Sequence, residues 1–248
     1  MAYLLKGKDP VEEDLTIKRK GFYDSRYENY LTRRQSYIFE TQKRLDQIKY
    51  RMDSVISLEE VISKLKTDTK LNGPSLSQSI SMHIELYYLN IIAIRDRVFR
   101  LVSHVYDLGL EKNVFENALL SNLHIKNTET AIKVKKLSHF LQEDNRIRNM
   151  ISHESSYSDY ESELEDTLWG GGYLSSLSRM EEFSLGGAHL DEEKLKEIDA
   201  FVKRYLEEKV GEMGLKNKVI FKLVDEVTES LDHEYEAKKE SHIENPRK

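Results

Sequence analysis

The sequence contains no cysteine, and its 248 residues include only 3 prolines and 11 glycines. The absence of cysteine excludes disulfide bonds, thiolate metal sites and a cysteine nucleophile, and it fits a reducing compartment such as the cytoplasm. The scarcity of proline and glycine leaves long stretches without the residues that interrupt helices. No uninterrupted apolar run approaches the roughly 18 residues of a membrane span. We therefore expect a cytoplasmic, all-α protein with no membrane partner.

The charge balance excludes one class of function and leaves another open. The formal net charge is -6 at pH 7, and charged residues make up 33% of the chain. An excess of negative charge argues against a general nucleic-acid coat, but a local basic surface can still attract a phosphate chain. RNA binding must therefore be judged from local groups of residues.

The periodicity of apolar residues divides the chain into regions. Helical spacing from Ile38 to Leu65 predicts one long helix, which follows a charged, weakly patterned arm. Arm and helix together form an N-terminal region, 1–73, that ends at a glycine and a proline. We expect a helical bundle over residues 74–240, interrupted by an acidic and glycine-rich insertion. That insertion spans residues 154–190, and a disordered tail is predicted over residues 241–248.

Helix starts and stops within the bundle are indicated by individual residues. Gly109 suits a left-handed C-terminal cap, and Gly214 is predicted to end a helix. Asp144 or Asn145 could cap a helix that runs to His153, and the pattern leaves open whether this helix is separate from the preceding one. The predicted helices span residues 79–109, 114–122, 128–142, a segment ending at 153, 191–214 and 215–237.

One segment of the bundle combines an apolar face with a face of polar side chains. It is the run Arg148-Asn149-Met150-Ile151-Ser152-His153. On a helical wheel at roughly 100° per residue, its two apolar residues lie beside Ile147, and its polar residues cover the opposite half. Arg148 and His153 are about 140° apart on this wheel. One straight helix cannot direct both side chains at one atom, so a site here needs a helix end or a second copy of the segment.

An arginine followed by a polar residue, with a histidine five positions after the arginine, resembles the R-x4-H motif of HEPN ribonucleases. Arg148, Asn149 and His153 match this motif residue by residue, and the resemblance covers roughly residues 79–239. It implies an all-α bundle that forms a two-fold homodimer, in which the two motif helices face each other. It also implies a metal-independent endoribonuclease that uses no cofactor, of the kind that serves as a toxin or a defence effector.

The residue types suit cleavage of RNA without a metal ion, because RNA carries its own nucleophile, the 2′-hydroxyl. The imidazole of His153 can accept or supply a proton near neutral pH. The guanidinium of Arg148 can hold two phosphate oxygens and stabilise charge that develops at phosphorus. Asn149 can orient the histidine or the phosphate. We assign these three residues to catalysis.

Further residues are assigned to the site by charge and position. Arg146, Lys133 and Lys136 are candidates for RNA binding. Arg95 lies within or beside the apolar stripe of its helix, where a packed and paired arginine is the simpler interpretation and a supporting role in the site is the other. The remaining histidines show no metal-ligand spacing, so no metal site is predicted.

Two other classes of function stay open. The chain could be a helical dimer that holds RNA or a protein without cutting, or a structural adaptor, which the near-heptad spacing over residues 38–65 favours. In some HEPN toxins a tyrosine two residues after the histidine is modified by the antitoxin. Ser155 occupies that position here, so this form of control is not expected. An unrelated antitoxin or regulatory partner is compatible with the sequence.

Overall fold

The computed structural model of the protein describes residues 33–65, 76–110, 116–153 and 192–244. Within these ranges it contains seven α-helices and no β-strand, so the prediction of an all-α fold is confirmed. The arm, the insertion over residues 154–190, the helix start at Asp191 and the last four residues of the chain lie outside the described residues. The helices are α1 (Arg33–Ser63), α2 (Leu76–Val105), α3 (Glu116–Ser121), α4 (Glu129–Phe140), α5 (Gln142–His153), α6 (Glu192–Ser230) and α7 (Asp232–Glu244).

The chain divides into two compact units. Helices α1, α2 and α6 each contribute a segment to both of them. The long N-terminal helix therefore contributes to the same two units as helices that follow it, and the predicted division at residue 73 stays a prediction. Among the described residues, unit 1 contains 33–51, 93–110, 116–140 and 219–244, and unit 2 contains 52–65, 76–92, 141–153 and 192–218.

Each unit buries the apolar stripes of its helices. Helical residues three and four positions apart share a face, so a repeated apolar spacing produces a continuous buried stripe. Removing this apolar area from water supplies about 25 cal/mol per Å² and is the main stabilising contribution. The fully buried side chains include Ile48, Val98, Leu137 and Val224 in unit 1 and Val55, Ile62, Ile80 and Ile91 in unit 2.

The end of α2 is a Schellman motif built on Asp107. The N–H of Leu108 donates to the carbonyl of Ser103 at 2.9 Å, and the N–H of Asp107 donates to the carbonyl of His104 at 3.0 Å. Asp107 occupies the left-handed position of this motif, with φ of 54°. Gly109 is also left-handed, with φ of 67°, but it lies two residues beyond the position that closes the helix. The prediction of Gly109 as the cap is therefore corrected to Asp107, whose short polar side chain tolerates this backbone conformation.

A single helix, α6, replaces the two helices predicted on either side of Gly214. Glycine costs a helix interior about 1 kcal/mol relative to alanine, so its presence there needs a reason. An added Cβ at Gly214 would lie 3.0 Å from Oε1 of Glu59 in unit 2. The break predicted at Gly214 is wrong, because the residue admits a close contact with the Glu59 side chain and leaves the helix intact.

A chain of hydrogen bonds, of which the one between Tyr87 and Asn217 is buried, joins α1, α2 and α6 within unit 2. Nδ2 of Asn217 donates to Oε2 of Glu59 at 2.9 Å, and the Tyr87 hydroxyl donates to Oδ1 of Asn217 at 2.9 Å. Tyr87 is 1% exposed and Asn217 3% exposed. Burial raises the pKa of the Tyr87 hydroxyl, so that group stays protonated and able to donate. These buried polar groups therefore satisfy one another.

The predicted tail is helical where the structure describes it. α7 extends to Glu244, so residues 241–244 belong to a helix and the prediction of disorder there is corrected. Tyr235 and His242 are seven residues apart and share one face of α7. In unit 1 both rings contact Tyr37 of α1, at centroid distances of 5.7 Å for Tyr235 and 5.1 Å for His242. These contacts explain why the helix continues past the last apolar residue of its pattern.

Candidate functional site

The predicted motif lies on α5 in unit 2. α5 is separate from α4, because the chain turns at Leu141 between them. Ile147 and Met150 are buried, whereas Arg148 is half-buried and Asn149 is exposed. The division of this helix into an apolar and a polar face is therefore confirmed. Among the described motif side chains, Asn149 therefore lies on the face that unit 2 leaves exposed, and Arg148 is partly accessible.

The first turn of α5 is attached to α6 by a buried ion pair. Nζ of Lys216 lies 2.5 Å from Oδ1 of Asp144, and the Asp144 side chain is only 2% exposed. The prediction that Asp144 or Asn145 caps this helix is wrong, since α5 begins at Gln142. Asp144 instead lies about 60° from Ile147 on the helical wheel, on the buried face. A carboxylate that is buried on an apolar face usually needs a cation beside it. An aspartate among the apolar positions of the wheel is therefore the sequence signal that could have predicted this ion pair.

Tyr88 of α2 completes the surroundings of this ion pair. Its ring lies 5.6 Å from Nζ of Lys216, within the range of a cation–π interaction. Burial, followed by the nearby carboxylates of Asp144 and Glu212, raises the pKa of the Tyr88 hydroxyl. The phenol therefore remains neutral while the lysine ammonium carries the positive charge. Together these contacts hold Asp144, one helical turn before Arg148, against α6.

Arg148 differs from the other cations of the predicted site in its surroundings. Among the residues that the structure describes, no carboxylate or other hydrogen-bond partner engages its guanidinium. It is half-buried on the polar face of α5, next to the exposed Asn149. A half-buried guanidinium with no anion beside it among the described residues is suited to bind a phosphate. This is the most direct structural support for an anion site at the motif.

His153 is the last residue of α5. Its side chain lies outside the described residues, so the structure gives no distance between its imidazole and Arg148. Arg148, Asn149 and His153 are therefore on one helix, and their assignment to catalysis stays a prediction.

The cations assigned to RNA binding all have carboxylate partners. Arg146 of α5 pairs with Glu143 at 2.8 Å, and its guanidinium also donates to Sδ of Met150 at 3.7 Å. Lys133 and Lys136 are on α4 in unit 1, whereas the motif is in unit 2. Exposed ion pairs contribute little and exchange readily with solvent or ligand, so this assignment also stays a prediction. The lysine partners are Glu129 at 2.7 Å for Lys133 and Glu226 at 2.9 Å for Lys136.

Arg95 has the surroundings of a packed and paired arginine. Its guanidinium lies 3.0 Å from Oδ1 of Asp96 and 5.6 Å from the centroid of the Phe99 ring. Both partners are in unit 1: the Asp96 carboxylate pairs with the positive charge, and the Phe99 ring packs beside the guanidinium. The supporting role of Arg95 in the site stays a prediction.

A second amide on α5 has an unsatisfied polar atom. Oδ1 of Asn145 is buried and accepts no hydrogen bond from any described residue. Asn145 precedes Asn149 by one helical turn and shares its face. A buried acceptor without a donor costs about 1–3 kcal/mol, so a donor from a bound molecule would be favourable there. From the sequence, only a role as a helix cap is predicted for Asn145, and no sequence signal points to this buried acceptor.

The described residues also limit other kinds of site. They include no group of three or more histidine, aspartate or glutamate side chains that could hold a metal ion. None of the described helices combines the length and apolar character needed to cross a membrane.

Comparison with known proteins adds one finding. A family model described as HEPN_Cthe2314-like HEPN matches residues 30–210, which include α1 and the motif helix α5. No curated protein and no solved structure matches the chain. The family match covers well over half of the 248 residues and agrees with the all-α fold. The chain belongs to the HEPN superfamily.

Proposed function

We propose that this protein is a metal-independent endoribonuclease in which Arg148, Asn149 and His153 form the catalytic site. HEPN domains are commonly ribonucleases or RNA-binding modules. The observation that carries the proposal is Arg148, a half-buried guanidinium on the polar face of α5 with no partner among the described residues. A phosphate diester would supply the missing anion.

The proposed reaction is an internal transfer at phosphorus. The 2′-oxygen of a ribose attacks the adjacent phosphorus, the bond from phosphorus to the 5′-oxygen breaks, and a 2′,3′-cyclic phosphate and a 5′-hydroxyl are formed. His153 accepts the 2′-hydroxyl proton or gives a proton to the leaving 5′-oxygen, and a second histidine is needed if both transfers use imidazole. Arg148 stabilises the negative charge on the non-bridging oxygens. Asn149 orients the histidine or the phosphate.

The need for a second histidine and the wheel geometry both favour a two-fold homodimer. A two-fold axis is the simplest symmetry that brings two copies of one helix together. On α2, in the same unit as the motif, an apolar stripe of Met82, Leu86 and Leu89 follows helical spacing. These side chains are 54%, 46% and 37% exposed. We propose this stripe as part of the surface that a second copy covers.

Cleavage in the presence of a chelator is the deciding experiment. Purified protein should cut mixed RNAs in EDTA and leave 2′,3′-cyclic phosphate ends. His153→Ala should lower the rate by about 10²–10⁴, the usual contribution of a general acid or base. Arg148→Ala should lower it as well.

Two matched controls make the result specific. His139→Ala and Arg204→Ala remove an exposed histidine and an exposed arginine from other helices and should leave the rate unchanged. Equal rates for His153→Ala and wild type, or loss of activity in EDTA, would contradict the mechanism. Binding of RNA without cleavage would favour the alternative function, a non-catalytic helical dimer that holds RNA or a protein.

We further propose a biological role as a toxin or defence effector that an antitoxin or regulatory protein restrains. The support is the resemblance of Arg148 and His153 to the motif of HEPN toxins. Induced expression of the wild-type chain should arrest growth and degrade cellular RNA, whereas His153→Ala should do neither. Growth arrest by both proteins would separate the toxicity from cleavage.

A further inference from the structure

Unit 1 contains a cleft of about 450 Å³ between α1 and α2. This volume is within the range of about 300–1,000 Å³ that binding sites for small ligands usually have. Three of its lining side chains are cationic, one is a carboxylate and one is an aromatic ring. The lining residues are Lys43, Asp46, Gln47, Tyr50, Arg51 and Arg97.

The helical spacing of the lining residues explains how one cleft collects them. Positions 43, 46, 47, 50 and 51 form pairs that are three or four residues apart, such as 43 and 47 or 47 and 50, and therefore lie along one face of α1. They extend over eight residues, or about 12 Å at 1.5 Å per residue. Arg97 faces them from α2, and Arg100 follows it one turn later. The result is an elongated basic wall rather than a single charged point.

Positive charge exceeds negative charge along this wall. Glu40 is shared by Lys43 at 3.2 Å and Arg44 at 3.6 Å. Oδ1 of Asp96 is engaged by Arg95 at 3.0 Å. Asp46 lines the cleft itself, and its Oδ1 accepts a hydrogen bond from Gln42 at 2.9 Å. The lining therefore combines three cations with one carboxylate, and this excess of positive charge attracts an anion from solution.

The electrostatic effect of this arrangement is visible at Arg97. Burial, together with the guanidinium groups of Arg100 and Arg51, lowers the pKa of Arg97, while Asp96 acts in the opposite direction. Guanidinium groups that oppose one another's charge are stabilised when an anion lies between them. Arginine is also the side chain best suited to hold phosphate oxygens in a bidentate manner.

Tyr50 adds a feature that a simple phosphate site does not need. Its side chain is 66% exposed, although an aromatic ring of that size is usually mostly buried in a helical bundle. The guanidinium of Arg51 lies 5.7 Å from the ring centroid and holds a cation beside it. An exposed ring among arginines is the combination by which proteins bind single-stranded nucleic acids, with bases stacked on the ring and phosphates on the cations.

We propose that this cleft is a second RNA site, which binds a single-stranded segment through phosphates at Arg51 and Arg97 and a base stacked on Tyr50. The proposal deepens the proposed ribonuclease function, on which its choice of RNA rests, and it adds a binding surface away from the motif in sequence. Binding here does not depend on base identity, because stacking and phosphate contacts are available to every nucleotide.

The test measures binding without cleavage. A fluorescently labelled oligo(A) ribonucleotide is titrated with the full-length His153→Ala protein over a salt series, and anisotropy gives the Kd. Arg51→Gln/Arg97→Gln is added to this background and should weaken binding. Since each phosphate neutralised on a single strand contributes about 0.7 to the slope of log K against log salt, losing two contacts should flatten that slope by about 1.4.

A second variant and a matched control make the result specific. Tyr50→Leu, at an exposed position, should weaken binding by at least about fivefold, the lower bound for loss of one stacked base, with the salt slope unchanged. The control, Lys64→Gln/Lys203→Gln, removes the same charge from side chains that are 75% and 77% exposed. It should bind like its parent.

The outcomes separate this site from the proposed catalytic site. Normal binding by both cleft variants overturns the second site, whether or not the wild-type protein cuts RNA. If the cleft variants bind more weakly and the wild-type protein cuts no RNA, the second site is supported and only the proposed catalysis is refuted. Equal affinity for a duplex of the same length, or displacement by AMP at equal nucleotide concentration, overturns the assignment to a single strand.

Discussion

Replacement of Lys216 by methionine should destabilise the protein more than removal of its partner does. Lys216→Met leaves Asp144 as a carboxylate that is 2% exposed and has lost its cation. Asp144→Leu instead leaves a lysine whose side chain is 32% exposed and can turn its ammonium group toward water. The two halves of the ion pair therefore differ in how well solvent can replace the missing partner.

The expected magnitude follows from this difference. Breaking a buried ion pair by removing one partner costs about 3–5 kcal/mol, and the partial exposure of Lys216 places its replacement near the lower end, about 3 kcal/mol. At about 2–4 °C per kcal/mol for a chain of this size, Lys216→Met should lower the melting temperature by roughly 6–12 °C. Asp144→Leu should lower it by less than half as much. The double variant Asp144→Leu/Lys216→Met should recover most of the loss, because two apolar side chains leave no buried charge.

Differential scanning calorimetry of the four proteins forms a double-mutant cycle and measures the coupling directly. Lys203→Met is a suitable control, since it removes a lysine from an exposed pair with Glu207 on the same helix and should leave the melting temperature unchanged. If Lys216→Met had the same melting temperature as this control, or lost no more than Asp144→Leu does, the ion pair would not stabilise the first turn of α5. Cleavage should fall in parallel with stability in Lys216→Met, since Arg148 lies one turn beyond Asp144.

Three further predictions address other parts of the molecule. Burial, with Arg33 adding to it, lowers the pKa of His242, so the folded state disfavours protonation of this imidazole. Its contribution to stability should therefore be complete above about pH 6.5 and decline below that pH. His242→Phe should reduce the fall in melting temperature between about pH 7.5 and 5.5. Asp107→Gly should raise the melting temperature by a few degrees, because glycine adopts the left-handed conformation at φ of 54° without the penalty of about 1 kcal/mol that other residues incur; a lower melting temperature would contradict this assignment. Leu86→Glu should convert a dimer to a monomer in analytical ultracentrifugation at micromolar concentration, whereas Ile132→Glu, at an apolar residue that is 70% exposed in unit 1, should not.

The sequence predicted the all-α class and the two faces of the motif helix because both depend on local periodicity. Ile147 and Met150 are buried for the same reason that they lie together on a helical wheel. Predictions failed where the decisive contact comes from a residue distant in sequence. Gly214 lies within a helix, and its missing Cβ leaves room for the side chain of Glu59, which is far away in sequence. Asp144 is an internal ion-pair partner because Lys216 reaches it from α6.

The site could be predicted only in part for a related reason. A motif of three residues identifies chemistry, but not the side chains that hold it in place. The wheel places Asp144 on the apolar face, and a systematic search for charged residues on such faces would have pointed to a cation partner. The Tyr50 cleft had no motif at all, since its arginines come from two helices and only their packing creates it.

The hydrogen bonds from Tyr87 through Asn217 to Glu59 have a consequence for the alignment of the helices. Apolar stripes alone would allow one helix to slide along another by a turn, about 5.4 Å, at little cost, because one leucine-sized side chain replaces the next. Such a slide would separate the Tyr87 hydroxyl from Asn217 and leave buried polar atoms without partners at about 1–3 kcal/mol each. These three side chains therefore select a single axial register for α1, α2 and α6 in unit 2. That register also sets the position of Lys216 along the axis of α6. Because Lys216 pairs with Asp144, it sets the position of Arg148 on α5 as well.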